Sequence, residues 1–255
     1  SEIVKEAKSL GIDIKFSHVV VAAKGYKKVK SCDIAEISED KQNLNQIKNI
    51  ECDCICVSGF WTPTIHLASQ SGGKTKFKEE IDAFVPDKSK QKEVTLGSAN
   101  GVFTLEETLK TSFDKGFELS KEITNNNNSQ QIPKVSEKKH SKHDKFWCVP
   151  LPKGKKYKRF LDFQNDVAVS DIELAIREGY RSIEHVKRYT TLGMATDQGK
   201  TSNLNGLQLV SNIENKVVPA VGHTTFRPPY TPISIGAIVG REIGKHSKPT
   251  RKSPM

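Results

Sequence analysis

Tyr189-Thr-Thr-Leu-Gly-Met-Ala-Thr-Asp-Gln-Gly-Lys-Thr-Ser-Asn203 crowds five aliphatic hydroxyls, three side-chain amides or carboxylates, one lysine and two glycines into one connector. Glycines serve sharp backbone bends, but a plain connector does not need so many hydrogen-bonding groups. Two readings follow. Either the loop presents its donors to a phosphate, a partner chain or another domain, or it is self-capped, its Ser, Thr and Asn side chains satisfying their own backbone. On both sides the pattern turns helical, with Ser182–Tyr189 before it and Asn203–Ile213 after it.

Further upstream, Ser170–Glu178 predicts a third helix, with Ser170 as N-cap, Glu173 completing a capping box and Gly179 as the stop. Three short helices around a small core are the expectation for residues 146–240. The stretch after Val217 is extended, because Thr225-Phe-Arg-Pro-Pro-Tyr-Thr-Pro232 cannot continue a helix. Residues 124–145 contain four consecutive Asn and a Lys/His/Ser run, and read as a polar linker and domain boundary.

Residues 1–123 read as α/β. Ser1–Leu10 predicts an amphipathic helix stopped at Gly11, and Ile12–Phe16 a short strand. Val19–Ala23 and Lys28–Ile37 predict antiparallel strands about a Lys24-Gly25-Tyr26 turn. Asp40–Lys48 reads as a polar loop, Ile50–Ser58 as a strand running from half-buried to buried, and Val94–Leu96 as a short buried strand. Gly97-Ser-Ala-Asn-Gly101 is a turn into a helix Thr104–Ile123, capped by Thr104 with Glu107.

The 255 residues suffice for one large or two modest domains without disulfide staples. No signal peptide or membrane-spanning run is visible, and an odd count of five cysteines favours reduced thiols and a cytoplasmic setting. The net charge of +10 resides largely in Lys134–Lys158 and Arg241–Lys252, without interleaved aromatics, which argues against nucleic-acid binding.

Cys52, Cys54 and Cys56 alternate onto one face of the expected strand, where core packing is favoured over a metal site that would need a second ligand cluster. Gly193 to Gly199-Lys200-Thr201 mimics a P-loop but has five residues between its glycines where four are required, and follows a helix rather than a strand. It can still hold an anion at the start of the next helix. His66, His185 and His223 read as solvated or core histidines. No Gly-x-Gly-x-x-Gly occurs.

Val57-Ser-Gly-Phe-Trp-Thr-Pro-Thr-Ile-His-Leu-Ala-Ser-Gln-Ser-Gly-Gly73, Gly97–Gly101, Phe163-Gln-Asn-Asp166, the run Glu178–Asn203 and Thr224-Thr-Phe-Arg-Pro-Pro-Tyr-Thr-Pro232 together resemble the alpha subunit of heterotetrameric sarcosine oxidase. The resemblance covers nearly the whole chain and breaks mainly at the Asn/Lys linker. It implies an α/β fold, the C-terminal part of a disulfide-reductase-like FAD/NAD(P)-type nucleotide-binding domain with a β-meander (1–123), followed by the small three-helix domain. The basic tail 241–255 would be the start of a folate-binding domain, and the chain a central piece of the subunit, inactive alone.

The family oxidatively demethylates sarcosine to glycine with oxygen and tetrahydrofolate. The resemblance therefore implies partners (beta, gamma and delta subunits), a non-catalytic NAD, an FMN at the interface with the beta subunit, and FAD and tetrahydrofolate elsewhere in the complex. By the same resemblance Ser98, Ala99, Asn100, Phe103 and Leu105 would line the NAD site. Arg188, Thr190, Thr191, Thr196, Lys200 and Thr201 would face the beta subunit and the FMN phosphate, and no catalytic residue is expected here. Related amine and opine dehydrogenase subunits carry a two-iron cluster in the helical domain. In that register this chain has Phe163, Asn165, Asp197 and Ser202, which supply no thiolate, so no cluster is expected. A structural module without cofactor and, from composition, a basic RNA-binding protein are the competing readings.

Overall fold

A computed structural model of the chain describes residues 2–59, 61–124, 135, 146–152, 154, 157–229, 231–240 and 244. Most of the polar linker and the basic tail named above therefore lie outside the described residues. The protein is α/β, with small open sheets and a helical region. It divides into two compact units, one of residues 1–60 with 142–159 and one of residues 61–141 with 160–255.

The first unit holds α1 (Glu2–Ser9) and an antiparallel meander of β1 (His18–Gly25), β2 (Val29–Ile37) and β3 (Leu44–Glu51). β2 is central and carries the buried residues Cys32, Asp33, Ile34 and Ala35. The Asp33 carboxylate is held by Lys24 Nζ at 2.7 Å and by Asn49 Nδ2 at 2.9 Å, one donor from each neighbouring strand.

Three expectations fail in this unit. Ile12–Phe16 is not a strand: both end residues are exposed, and the positive φ of Ser17 interrupts the extended run before β1. Asp40–Lys48 is only in part a loop. Ser38 closes a tight turn onto Asn43, and β3 then pairs along β2. Nor does Ile50–Ser58 continue as a buried strand, because the ladder ends where the Cys52 N–H donates to Lys30 O. Cys54 and Cys56 are exposed rather than packed in a core, and Cys52 is half-buried.

The second unit begins with α2 (His66–Gln70) and a hairpin of β4 (Thr75–Lys78) and β5 (Ala83–Pro86). Ala83 and Val85 are buried, whereas the expected buried strand Val94–Leu96 does not form and Val94 is exposed. A 3-10 turn at Gly97–Asn100 leads into α3 (Leu105–Thr124). Thr104 caps α3 as expected, accepting from the Glu107 N–H at 3.3 Å and donating to the Glu107 carboxylate at 3.1 Å.

A short hairpin of β6 (Phe160–Asp162) and β7 (Val167–Ala168) then precedes α4 (Val169–Arg177), α5 (Ile183–Thr190) and α6 (Asn203–Ile213), with α7 (Val218–Val221) and α8 (Ile235–Val239) following. Ile172, Val186, Leu192, Leu207 and Val210 form the core between the three main helices. Ser170 is not the cap of α4. The helix starts at Val169, whose side chain is buried, and the Asp171 carboxylate accepts from the Ala168 N–H at 2.8 Å. Burial of Val169 sets the start, and the exposed Ser170 does not compete.

The loop between α5 and α6 closes on one side chain. Gly193 and Gly199 both have positive φ, and a Cβ on either would lie within about 2.2 Å of the Asn203 side-chain amide. Gly199→Ala therefore combines backbone strain with a collision and should lower stability by about 3 kcal/mol or more. Gly179 has a similar φ of +97 with nothing near the added carbon. Gly179→Ala should cost only about 1 kcal/mol, and urea denaturation of the two variants checks the contrast.

Candidate functional site

Asp162, 2% exposed at the end of β6, organises the ground beneath the loop. One carboxylate oxygen accepts the N–H groups of Gln164 and Asn165 at 2.9 and 3.2 Å, shaping the hairpin turn. The other accepts the Gly193 N–H at 2.8 Å, fixing the loop to the hairpin. Asn165 Nδ2 adds a bond to Thr191 O at 3.0 Å.

Most hydroxyls of the loop bond within the chain, as the self-capped reading expects. Thr190 Oγ1 donates to Val186 O at 2.7 Å, Thr191 Oγ1 to Thr190 O at 2.6 Å and Thr196 Oγ1 to Gln164 Oε1 at 2.8 Å. Thr201 Oγ1 donates to the Asp197 carboxylate at 2.8 Å, which also accepts the Gly199 N–H at 3.0 Å. Their donors are thus engaged, and what the loop offers outward is shape and backbone. Lys200 is half-buried and lines a separate cavity of about 50 Å³ with His66, Asn203 and His223.

Positive charge gathers beside the loop instead. Lys187 and Arg188 at the end of α5, the stretch Gly193–Ala195 with Gln198, and Thr225–Arg227 line a cleft of about 720 Å³, a size typical of cofactor pockets. Arg188 pairs with Glu184 at 3.1 Å, and Glu184 also accepts the Thr225 N–H at 2.7 Å. Lys187 and Arg227 form no ion pair among the described residues. Burial pulls the Lys187 ammonium below its ordinary pKa; Glu184 opposes this, and the Arg188 and Arg227 guanidiniums add to it. Three cations against one carboxylate make a site that an anion would relieve. Of the sequence-derived candidates only Arg188 lines this cleft. Lys187 and Arg227 were missed because they lie in different segments, each reading as an ordinary surface cation.

The wall of Thr224–Arg227 is fixed from behind. His223 Nε2 meets Thr75 Oγ1 at 2.6 Å, Asn203 Nδ2 donates to the buried Thr224 Oγ1 at 3.2 Å, and Phe226 stacks on His66 with centroids 3.7 Å apart. His66 is buried and its Nε2 bonds Gln198 O at 3.3 Å, so the ring carries its proton there.

The second candidate set borders the start of α3. Ser98 and Leu105 are exposed, while Ala99, Asn100 and Phe103 are half-buried. Glu106 and Glu107 occupy the first turn and the Glu107 N–H is capped. Those carboxylates already complement the helix dipole, so this end suits the hydroxyls of a nucleotide better than its phosphates. The four positions of the iron-cluster register fall on an exposed Phe163, on Asn165 bonded to the loop, on the Asp197 turn and on the buried Ser202.

Burial lowers the His66 pKa from the ordinary 6.5, the bond to Gln198 opposing it. The folded protein thus takes up this proton less readily than the unfolded chain. The contribution is complete above about pH 6.5 and is lost as pH falls toward the lowered value. Thermal midpoints should therefore drop below about pH 6.5, and His66→Gln should flatten that part of the profile.

The Sarcosine oxidase A3 domain matches residues 156–241. The alpha subunit of sarcosine oxidase from Rhizobium meliloti (strain 1021) is 37% identical over 238 residues, covering 93% of this chain and 23% of the relative. Those from Corynebacterium sp. strains P-1 and U-96 are 32% identical over 262 residues (100% of this chain, 27% of the relative) and 33% over 230 (85% and 23%). L-proline dehydrogenase from P. horikoshii shares the fold, with a TM-score of 0.60 at 21% identity, covering 94% of this chain and 48% of that one. The chain spans about a quarter of the length of the curated relatives it matches. With these matches the chain belongs to the sarcosine oxidase alpha-subunit family.

Proposed function

We propose that this chain is a central segment of the alpha subunit of a sarcosine oxidase-like flavoenzyme, and that the basic cleft beside α5 receives the phosphate of an FMN at the interface with a beta subunit. The whole enzyme would be a heterotetramer, with gamma and delta subunits, that demethylates sarcosine with oxygen and tetrahydrofolate. FAD and the folate site would lie elsewhere. One observation carries the reading of the cleft: Lys187, Arg188 and Arg227 converge there opposite the single carboxylate Glu184. Two guanidiniums and an ammonium suit a phosphate dianion, and a cleft of about 720 Å³ has room for the flavin part of the cofactor or for partner side chains. FMN supplies the redox chemistry when bound. The residues of this chain hold charge and orientation.

Residues 97–105 would contribute to a non-catalytic NAD site, contacting ribose hydroxyls through Ser98 and Asn100 with Ala99, Phe103 and Leu105 as apolar walls. Residues 1–123 would close the nucleotide-binding domain, and residues 146–240 would be the helical domain that lacks cluster thiolates. A cofactor-free structural module is the second reading. The internal hydrogen bonds of Thr190, Thr191, Thr196 and Thr201 favour it, since a loop that satisfies itself needs no ligand.

Co-expression with a beta subunit separates the two. Lys187→Gln with Arg227→Gln should reduce retained FMN at least tenfold, the loss of about 1.4 kcal/mol or more, read as flavin fluorescence after release. Thr196→Ala should change it little. Retention unaffected by the double variant would favour the structural module. Anaerobic reconstitution with iron and sulfide should leave the protein iron-free, because Phe163, Asn165, Asp197 and Ser202 offer no sulfur. Stoichiometric iron on analysis would show the register to be wrong.

A further inference from the structure

Beyond β3 the chain carries Cys52, Cys54 and Cys56, and these thiols are not equivalent. Cys52 is half-buried, and burial together with the neighbouring thiol of Cys32, a buried residue of β2, raises its pKa above the usual thiol value. Cys54 and Cys56 are both exposed, and their sulfurs lie 3.8 Å apart in mutual hydrogen-bond contact. The segment belongs to no strand, since the last ladder bond is the one from the Cys52 N–H to Lys30 O.

We propose that Cys54 and Cys56 are a redox modification site, a vicinal dithiol that a hydroperoxide converts to a reversible disulfide. Two residues apart, they turn their sulfurs toward one another at 3.8 Å. Bonding needs the sulfurs to close by about 1.8 Å, to the ordinary length near 2.05 Å, and rotation about the two Cα–Cβ bonds can supply this without breaking a ladder. The resulting small ring is strained and therefore easily reduced. A metal clamp is the competing use of two thiols, but among the described residues no group of three or more His, Cys, Asp or Glu is assembled to hold an ion.

The contact keeps a second thiol beside the one that reacts. The hydrogen bond to Cys56, with the charge that Cys56 carries once ionised, raises the Cys54 pKa above its usual thiol value. Two such neighbours do not ionise together, so a thiolate on one faces a thiol on the other across 3.8 Å. The thiolate attacks one oxygen of hydrogen peroxide, the O–O bond breaks, hydroxide leaves, and a sulfenic acid forms. The sulfur of the neighbouring thiol then attacks the sulfenic sulfur. The S–O bond breaks, the proton of that thiol joins the departing oxygen, and water leaves. The hydroxide recombines with the proton lost in the first ionisation, so two thiols and one peroxide give one disulfide and two waters.

The test treats the 255-residue protein with hydrogen peroxide and maps its five cysteines by differential alkylation and peptide mass spectrometry. Cys54 and Cys56 should lose reactivity together, about tenfold faster than Cys32, Cys52 and Cys148, within one internally crosslinked peptide that a phosphine reductant restores. In Cys54→Ser and in Cys56→Ser alike, the cysteine that remains should accumulate a dimedone-trappable sulfenic acid, because its resolving thiol is gone. Full alkylation of both after peroxide overturns the proposal, as does a Cys32–Cys52 crosslink formed in its place. Protection of both thiols by zinc, reversed by a chelator and needing no peroxide, would assign the pair to a metal instead.

Discussion

The side-chain amide of Asn203 seats on the α-carbons of Gly193 and Gly199, and the geometry of the whole helical region follows from that seat. Both ends of a long, polar loop are drawn to the first residue of α6, and only glycine leaves room for the amide there. Asn203 also reaches Thr224, so the same side chain aligns the loop with the extended segment after α7. Asp162 provides the matching anchor on the other side by accepting the Gly193 N–H. Between these two buried polar groups the loop is held at its base, and Leu192 is pressed into the core against Gly206.

The cleft is a consequence of this arrangement. Once the loop is closed, the end of α5 and the segment Thr225–Arg227 form opposite walls, and cations from both come together. The bond from the Thr225 N–H to Glu184 joins the walls while leaving two of the three positive groups without an ion pair among the described residues. Concentrated like charge is destabilising in isolation. Its persistence at a cleft of cofactor size favours use in binding an anion.

The loop's chemistry divides between support and presentation. Hydroxyls and carboxylates hold the backbone, with Asp197 capping the turn and Thr190 and Thr201 folding back on it. The charge that faces outward comes from α5 and from the Pro-rich segment that carries Arg227. A lysine and several threonines in a glycine-rich stretch look like a phosphate cradle in one dimension. In three dimensions the threonines belong to the scaffold and Lys200 lines a different cavity.

What local sequence encodes was legible. The capping pair Thr104–Glu107, the stops at Gly11 and Gly179 and the apolar spacing of α5 and α6 placed those helices to within a residue or two, because caps and periodicity act over a single turn. The family, too, was legible, from long runs such as Glu178–Asn203. Only the tertiary structure decided the rest. β3 is an edge strand exposed along most of its length, so its sequence carries no alternation to read, and its pairing is set by β2. The cysteines after it alternate as a buried strand would, yet the sheet ends before them and leaves two in solvent. Lys187 and Arg227 lie 40 positions apart and share a cleft because Asn203 and Asp162 close the loop between them. Local propensity is written in neighbouring residues, whereas the meeting of distant charges depends on which buried contacts bring their segments together.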